Sequence, residues 1–117
     1  MAESKPLSFA TVKEGDEVPA FVVPNLTRTD LVRYAGASGD FNPIHHDQTF
    51  AEAAGNPTVF AHGMLNAGFV SKCVSDFVGS AHPPNIEAAR FIEGEVVALN
   101  QKGEVAIQGS FVAEVAA

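Results

Sequence analysis

Basic residues are scarce in this chain. Lysine and arginine together number 7 against 14 aspartates and glutamates, a formal net charge of -7 over 117 residues. A nucleic-acid backbone is bound through a basic face, so nucleic acid is excluded as a partner. An acidic ligand is not, because a local cationic mouth can hide within an acidic average. Cysteine is scarcer still. Cys73 stands alone, which rules out an intramolecular disulfide. Its surroundings, "GFVSKCVSDFV", read as helix interior, so Cys73 is expected to be a small buried apolar side chain. No apolar run is long enough to span a bilayer. The polar start "MAESKPLSFA" lacks the pattern of a secretory signal. Repeats and low-complexity segments are absent as well. The expectation is a soluble, cytoplasmic protein with no membrane partner.

What remains suits one folded domain. Apolar residues make up 46% of the chain, and a domain of this length buries roughly two thirds of its unfolded surface. Residues 1–6 read as a flexible tail, and residues 7–117 as a single domain. Val18 to Val23 is a short apolar run that Pro19 and Pro24 demote to a weak or edge strand. "TRTDLVRYAGASG" predicts a first helix. Thr27 and Asp30 have the spacing of a capping box, and Leu31, Tyr34 and Ala35 share one face. "DQTFAEAAG" predicts a second, with Asp47 as N-cap and Gly55 just past the end. The third, His62 to Val78, would run about 25 Å at 1.5 Å per residue. Its apolar residues cover much of the circumference, so it is expected to be largely buried. The pattern then changes to period two. "IEAARFI", "EVVAL" and "EVAIQGSFVAEVA" read as strands, and a Lys102–Gly103 turn would join the last two as a hairpin. Helices first and strands later give an α+β order, with an antiparallel sheet and a helix against one face.

Chemistry concentrates in "SGDFNPIHHD", Ser38 to Asp47. Asp40 and His45 stand five apart across a turn stiffened by Pro43. A carboxylate and an imidazole facing one small volume can hold a water and move protons in both directions. The same residue types are also met by a plainer arrangement, in which Asp40 caps the turn and His45 is an ordinary loop histidine. Asn42 fits an orienting role in that loop through its amide. His46 beside Asp47 raises a metal site, but adjacent histidines rarely share one ion, and His62 and His82 are far off in sequence. No metal is expected. Downstream, "AHGML" places His62 and Gly63 at the start of the long helix. The first N–H groups of a helix lack internal partners and form its positive dipole end. Gly63 lets a ligand approach that backbone closely, as a carbonyl oxygen approaches an oxyanion hole. An ordinary helix start accounts for the same residues.

Together, "YAGASGDFNPIHHDQTFA" (Tyr34 to Ala51) and "FAHGML" (Phe60 to Leu65) resemble the two motifs of the MaoC-like, or (R)-specific enoyl hydratase, family. The similarity runs from about Phe9 to Phe91. Within the family it leans toward the B-type subunit of actinobacterial (3R)-hydroxyacyl-ACP dehydratase. The resemblance implies a hot dog fold, a curved antiparallel sheet wrapped around a long central helix. It implies that Asp40 and His45 are the catalytic acid/base pair, that Asn42 braces their loop, and that the Gly63 backbone N–H binds a thioester oxygen. The implied reaction is reversible syn hydration of a trans-2-enoyl thioester to the (3R)-3-hydroxyacyl thioester. No metal or redox cofactor is implied; the acyl group is carried on CoA or acyl carrier protein. The implied partner is a second hot dog subunit, as a homodimer or as a heterodimer with a related chain. Against the family pattern, the stretch between about 91 and 101 reads as shortened. Two other functions fit the same fold: a non-catalytic acyl-binding or scaffold subunit, and a hot dog thioesterase.

Overall fold

The computed structural model describes residues 7–79 and 89–117. The expected tail at residues 1–6, the loop "SAHPPN" with His82, and the front of "IEAARFI" lie outside the described residues. The elements follow in the order α1 (Arg28–Ser38), a 3-10 turn (Pro43–His45), α2 (Gln48–Ala53), α3 (Gly63–Val78), β1 (Ala89–Leu99) and β2 (Val105–Ala116). The fold class is α+β. The chain divides into two compact units: Val22–Ala67, and the residues up to Phe21 together with those from Gly68 onward.

In Val22–Ala67, α1 starts where the capping box predicts. The Thr27 side chain accepts from the Asp30 N–H, and the Asp30 carboxylate accepts from the Thr27 N–H at 2.9 Å. Leu31 and Ala35 are buried and Tyr34 is half-buried on the same face. Gly39 ends the helix at φ 76°, a left-handed conformation that favours glycine, and its N–H returns to the Ala35 carbonyl. Asp47 caps α2 by accepting from the Phe50 N–H at 3.0 Å. Arg28 ties these pieces together, donating to Gln48 Oε1 at 2.7 Å and to Thr58 Oγ1 at 3.2 Å.

In the other unit, β1 and β2 pair antiparallel from Ala89↔Ala116 to Leu99↔Val105, with an irregularity at Ala98/Leu99. The hairpin turn forms at the predicted place. Gly103 takes φ 77°, and Asn100 Oδ1 accepts from both the Lys102 and Glu104 N–H groups at 2.9 Å. Side chains alternate as period two requires: Ile92, Gly94, Val96 and Ala98 are half-buried while Phe91, Glu93, Glu95, Val97 and Leu99 are exposed. "IEAARFI" and "EVVAL" are not separate strands; what is described of them is one continuous β1, because Gly94 is accommodated in register opposite Phe111. The ring of Phe111 lies where a Gly94 side chain would be, 2.8 Å from the position of a Cβ.

Two further expectations are corrected. Val18–Val23 forms no strand, since each flanking proline lacks the N–H that a ladder needs. Helix α3 begins at Gly63, one residue later than expected, and ends at Val78 as expected, yet none of its residues is buried. Only two strands are described, too few to wrap a helix. Cys73 accordingly is half-buried, its thiol 3.6 Å from the Pro19 carbonyl.

Candidate active site

The loop that leaves α1 is shaped by its own polar side chains. Asp40 Oδ1 accepts from the Asn42 N–H, and Asn42 Oδ1 accepts from the Ile44 N–H, both at 3.2 Å. Asn42 thereby caps the 3-10 turn, which Pro43 opens with its fixed φ. The turn delivers His45 inward: its ring is buried while neighbouring His46 stays exposed.

His45 Nδ1 lies 2.7 Å from the Phe60 carbonyl oxygen. A carbonyl only accepts, so Nδ1 carries the hydrogen, and the neutral ring presents a bare Nε2 lone pair. That Nε2 faces Asp40 Oδ2 at 3.9 Å. The carboxylate, half-exposed, is likewise an acceptor. At this separation no direct hydrogen bond joins them, but one water, with its two hydrogens, can donate to both. Asp40 and His45 thus come together across a gap that one small molecule can span.

His62, placed by the sequence only at the start of the long helix, joins this pair. It is 1% exposed, and its ring stacks on His45 at 3.8 Å between centroids and 26° between planes. The Tyr34 ring also contacts it, tilted by 57° at 4.8 Å between centroids. Separation by 17 positions from His45 hid this contact; the available signal was its place directly before Gly63, next to the second motif. Asp40, His45 and His62 offer donor atoms within 4.8 Å of one another. Their geometry does not suit an ion. One nitrogen of each ring is committed to a carbonyl, and the remaining lone pairs lie in two ring planes only 26° apart and stacked at 3.8 Å. A metal at about 2.0–2.1 Å needs lone pairs that converge. His46 and Asp47 are exposed, and Asp47 is engaged as a helix cap.

Gly63 is the first residue of α3, and the Leu65 and Asn66 N–H groups turn back to the His62 carbonyl. The Gly63 N–H precedes the first intrahelical bond and has no helical partner. A side-chain methyl at Gly63 would meet nothing within 4 Å.

The family model for the MaoC like domain matches residues 10–114. The chain belongs to the MaoC-like family. Family membership implies the hot dog fold, of which two strands and the long helix are seen here. A solved MaoC-like dehydratase superposes with a TM-score of 0.64 at 34% identity, covering 95% of this chain and 42% of that one. Among characterised relatives, the (R)-specific enoyl-CoA hydratase of Rhodospirillum rubrum is 38% identical over 63 residues, 54% of this chain and 42% of that protein. The peroxisomal enoyl-CoA hydratase 2 of Arabidopsis thaliana is 31% identical over 96 residues, 82% of this chain and 30% of that protein. The 3-hydroxyacyl-thioester dehydratase X of Mycobacterium tuberculosis is 44% identical over 52 residues, 44% of this chain and 19% of that protein. This MaoC-like chain thus spans less than half the length of these relatives. No helix among its described residues is long and apolar enough to cross a membrane.

Proposed function

We propose that this chain catalyses the reversible hydration of a trans-2-enoyl thioester to the (3R)-3-hydroxyacyl thioester, as a hydro-lyase of fatty acid metabolism in the cytoplasm. The observation that carries the proposal is the 3.9 Å gap between Asp40 Oδ2 and His45 Nε2; with the imidazole neutral and its hydrogen on Nδ1, both atoms are acceptors. A water held there donates a hydrogen to each and turns its oxygen lone pair outward, toward C3 of the enoyl group. As the C3–O bond forms, one water O–H bond breaks to Asp40 or His45. The alkene electron pair shifts toward the thioester carbonyl, and the Gly63 N–H takes the developing charge on its oxygen. The electrons return as C2 is protonated. Both protein groups begin as acceptors, so the proton that reaches C2 is drawn from water through one of them. No cofactor enters this scheme; CoA or acyl carrier protein is the substrate's handle. Asn42 holds the loop by capping the 3-10 turn.

A second hot dog subunit completes the assembly, either another copy or a related chain such as the partners of the B-type actinobacterial dehydratase subunit. Support comes from α3, which buries no residue, and from a sheet of two described strands with exposed Phe91, Val97, Leu99 and Val112.

The test is loss of conjugated-enoyl absorbance on mixing the purified chain with trans-2-enoyl-CoA, with product configuration read by chiral chromatography. The expected product is the (R)-3-hydroxyacyl-CoA. Release of free thiol would instead identify a thioesterase. Acyl-thioester binding without turnover, alone and in every partner combination, would identify a scaffold subunit.

A further inference from the structure

The mechanism above uses Asp40 and His45 but gives no task to the most deeply buried imidazole beside them. His62 Nε2 lies 3.1 Å from the Asp40 main-chain carbonyl oxygen. That oxygen can only accept, so Nε2 carries the hydrogen and Nδ1 is left with a lone pair. This Nδ1 is buried and has no hydrogen-bond partner among the described residues. A buried acceptor left unpaired is destabilising, and a phenyl ring would fill the same stack without it. What the imidazole adds over an apolar ring is the N–H directed at Asp40.

We infer that His62 is the positioning residue that sets the Asp40–His45 gap. It acts at both sides of that gap at once. Its N–H anchors the main chain of Asp40, and its face fixes the plane of the His45 ring. Tyr34 from α1 also packs against the His62 ring, which adds a second contact that restrains it. His45 and His62 therefore hold opposite tautomers: hydrogen on Nδ1 in His45 and on Nε2 in His62. His62 is also the residue immediately before Gly63, so one backbone step links the water-holding pair to the N–H proposed for the thioester oxygen. The inference rests on the acid/base pair proposed above.

Two measurements test it. The first needs no turnover: long-range 1H–15N correlation spectra of the wild-type chain report the tautomer of each histidine. The expected pattern is an Nε2–H tautomer for His62 and an Nδ1–H tautomer for His45, with the His45 N–H slow to exchange. In His62→Phe and His62→Gln the His45 signal broadens toward mixed tautomers. An Nδ1–H tautomer for His62, or an unchanged His45 signal in both variants, overturns the inference. The second is kinetic. Misplacing a reacting group by a fraction of an ångström is costly, so kcat for hydration falls roughly tenfold or more in His62→Phe while KM stays within about twofold. His62→Gln, which keeps a donor within reach of the Asp40 carbonyl, retains more of kcat than His62→Phe. A fall confined to KM, or wild-type kcat in His62→Phe, overturns it as well. If the wild type hydrates no enoyl thioester, the functional proposal fails, while the spectra still decide whether His62 orders the pair.

Discussion

The two compact units differ in how far each completes itself. Of the residues described as buried, Leu31, Ala35, His45, Ala51, Val59 and His62 lie in Val22–Ala67, and only Val115 lies in the other unit. The first unit is held by short-range devices: a capping box, an Asn-capped turn, an Asp-capped helix and a stack of rings. The second has a regular hairpin with exposed Phe91, Leu99, Val105 and Val112, and a long helix segment without a buried side chain. The difference teaches that Asp40, His45 and His62 are brought together by local structure, while the described strands leave large apolar side chains exposed.

The largest expected effect lies at the site. Asp40→Asn keeps the size of the side chain but removes a proton acceptor from the gap. It should lower kcat for enoyl-CoA hydration by about 10²–10⁴-fold, the range for loss of a general acid/base. Its unfolding midpoint should barely move, because the Asp40 side chain is half-exposed. Near-normal turnover would detach the chemistry from this unit.

Stability should divide in the opposite sense from exposure. Leu31 is 6% exposed and Val112 is 69% exposed. Leu31→Ala should cost about 2 kcal/mol or more through lost burial and a residual cavity. Val112→Ser should stay within about 0.5 kcal/mol, the usual range for a surface substitution. Denaturant titrations at a concentration where the chain is monomeric measure both. Equal costs would erase the contrast between the units.

Gly63→Ala sharpens it further, because fold and function should part company at one residue. An added methyl meets nothing within 4 Å, so stability should be unchanged or raised by up to about 1 kcal/mol. Hydration should nonetheless slow roughly tenfold, since the methyl crowds the approach of a carbonyl to the N–H. A fully active Gly63→Ala variant would remove this N–H from the mechanism.

The smallest effect belongs to the cap of α1. The Thr27 hydroxyl, then the Thr27 N–H, hold the Asp30 carboxyl below its ordinary range. A depressed carboxyl stabilises the fold above the unfolded carboxylate range, and that contribution is lost as pH falls through the lower folded value. Asp30→Asn should therefore melt slightly below wild type near neutral pH, and the gap should narrow as pH falls below the ordinary carboxylate range. A gap that widens on acidification would contradict the assigned cause.

Local signals made most of the first unit legible in the sequence. Thr27, Asp30, Asn42, Pro43 and Asp47 act within three or four positions of themselves, so caps and turns could be placed from spacing alone. The pairing of Asp40 with His45 was likewise local. The stack of His62 on His45 was not, because it joins two segments whose closeness depends on how α2 and the following loop fold back. The burial expected of α3 failed for a related reason. An apolar helix states that it needs cover, but its sequence does not say that this chain's described strands are too few to supply it. Val18–Val23, already demoted to a weak or edge strand by Pro19 and Pro24, forms none at all, because two prolines break the ladder.

The most direct test of the central claim, that Asp40 and His45 act on one shared water, is a double-mutant cycle. Hydration kcat would be measured for wild type, Asp40→Asn, His45→Gln and the double variant. Groups that serve one water fail together, so the double variant should fall little below the worse single variant. Losses that multiply would show two independent contributions and contradict the shared-water account.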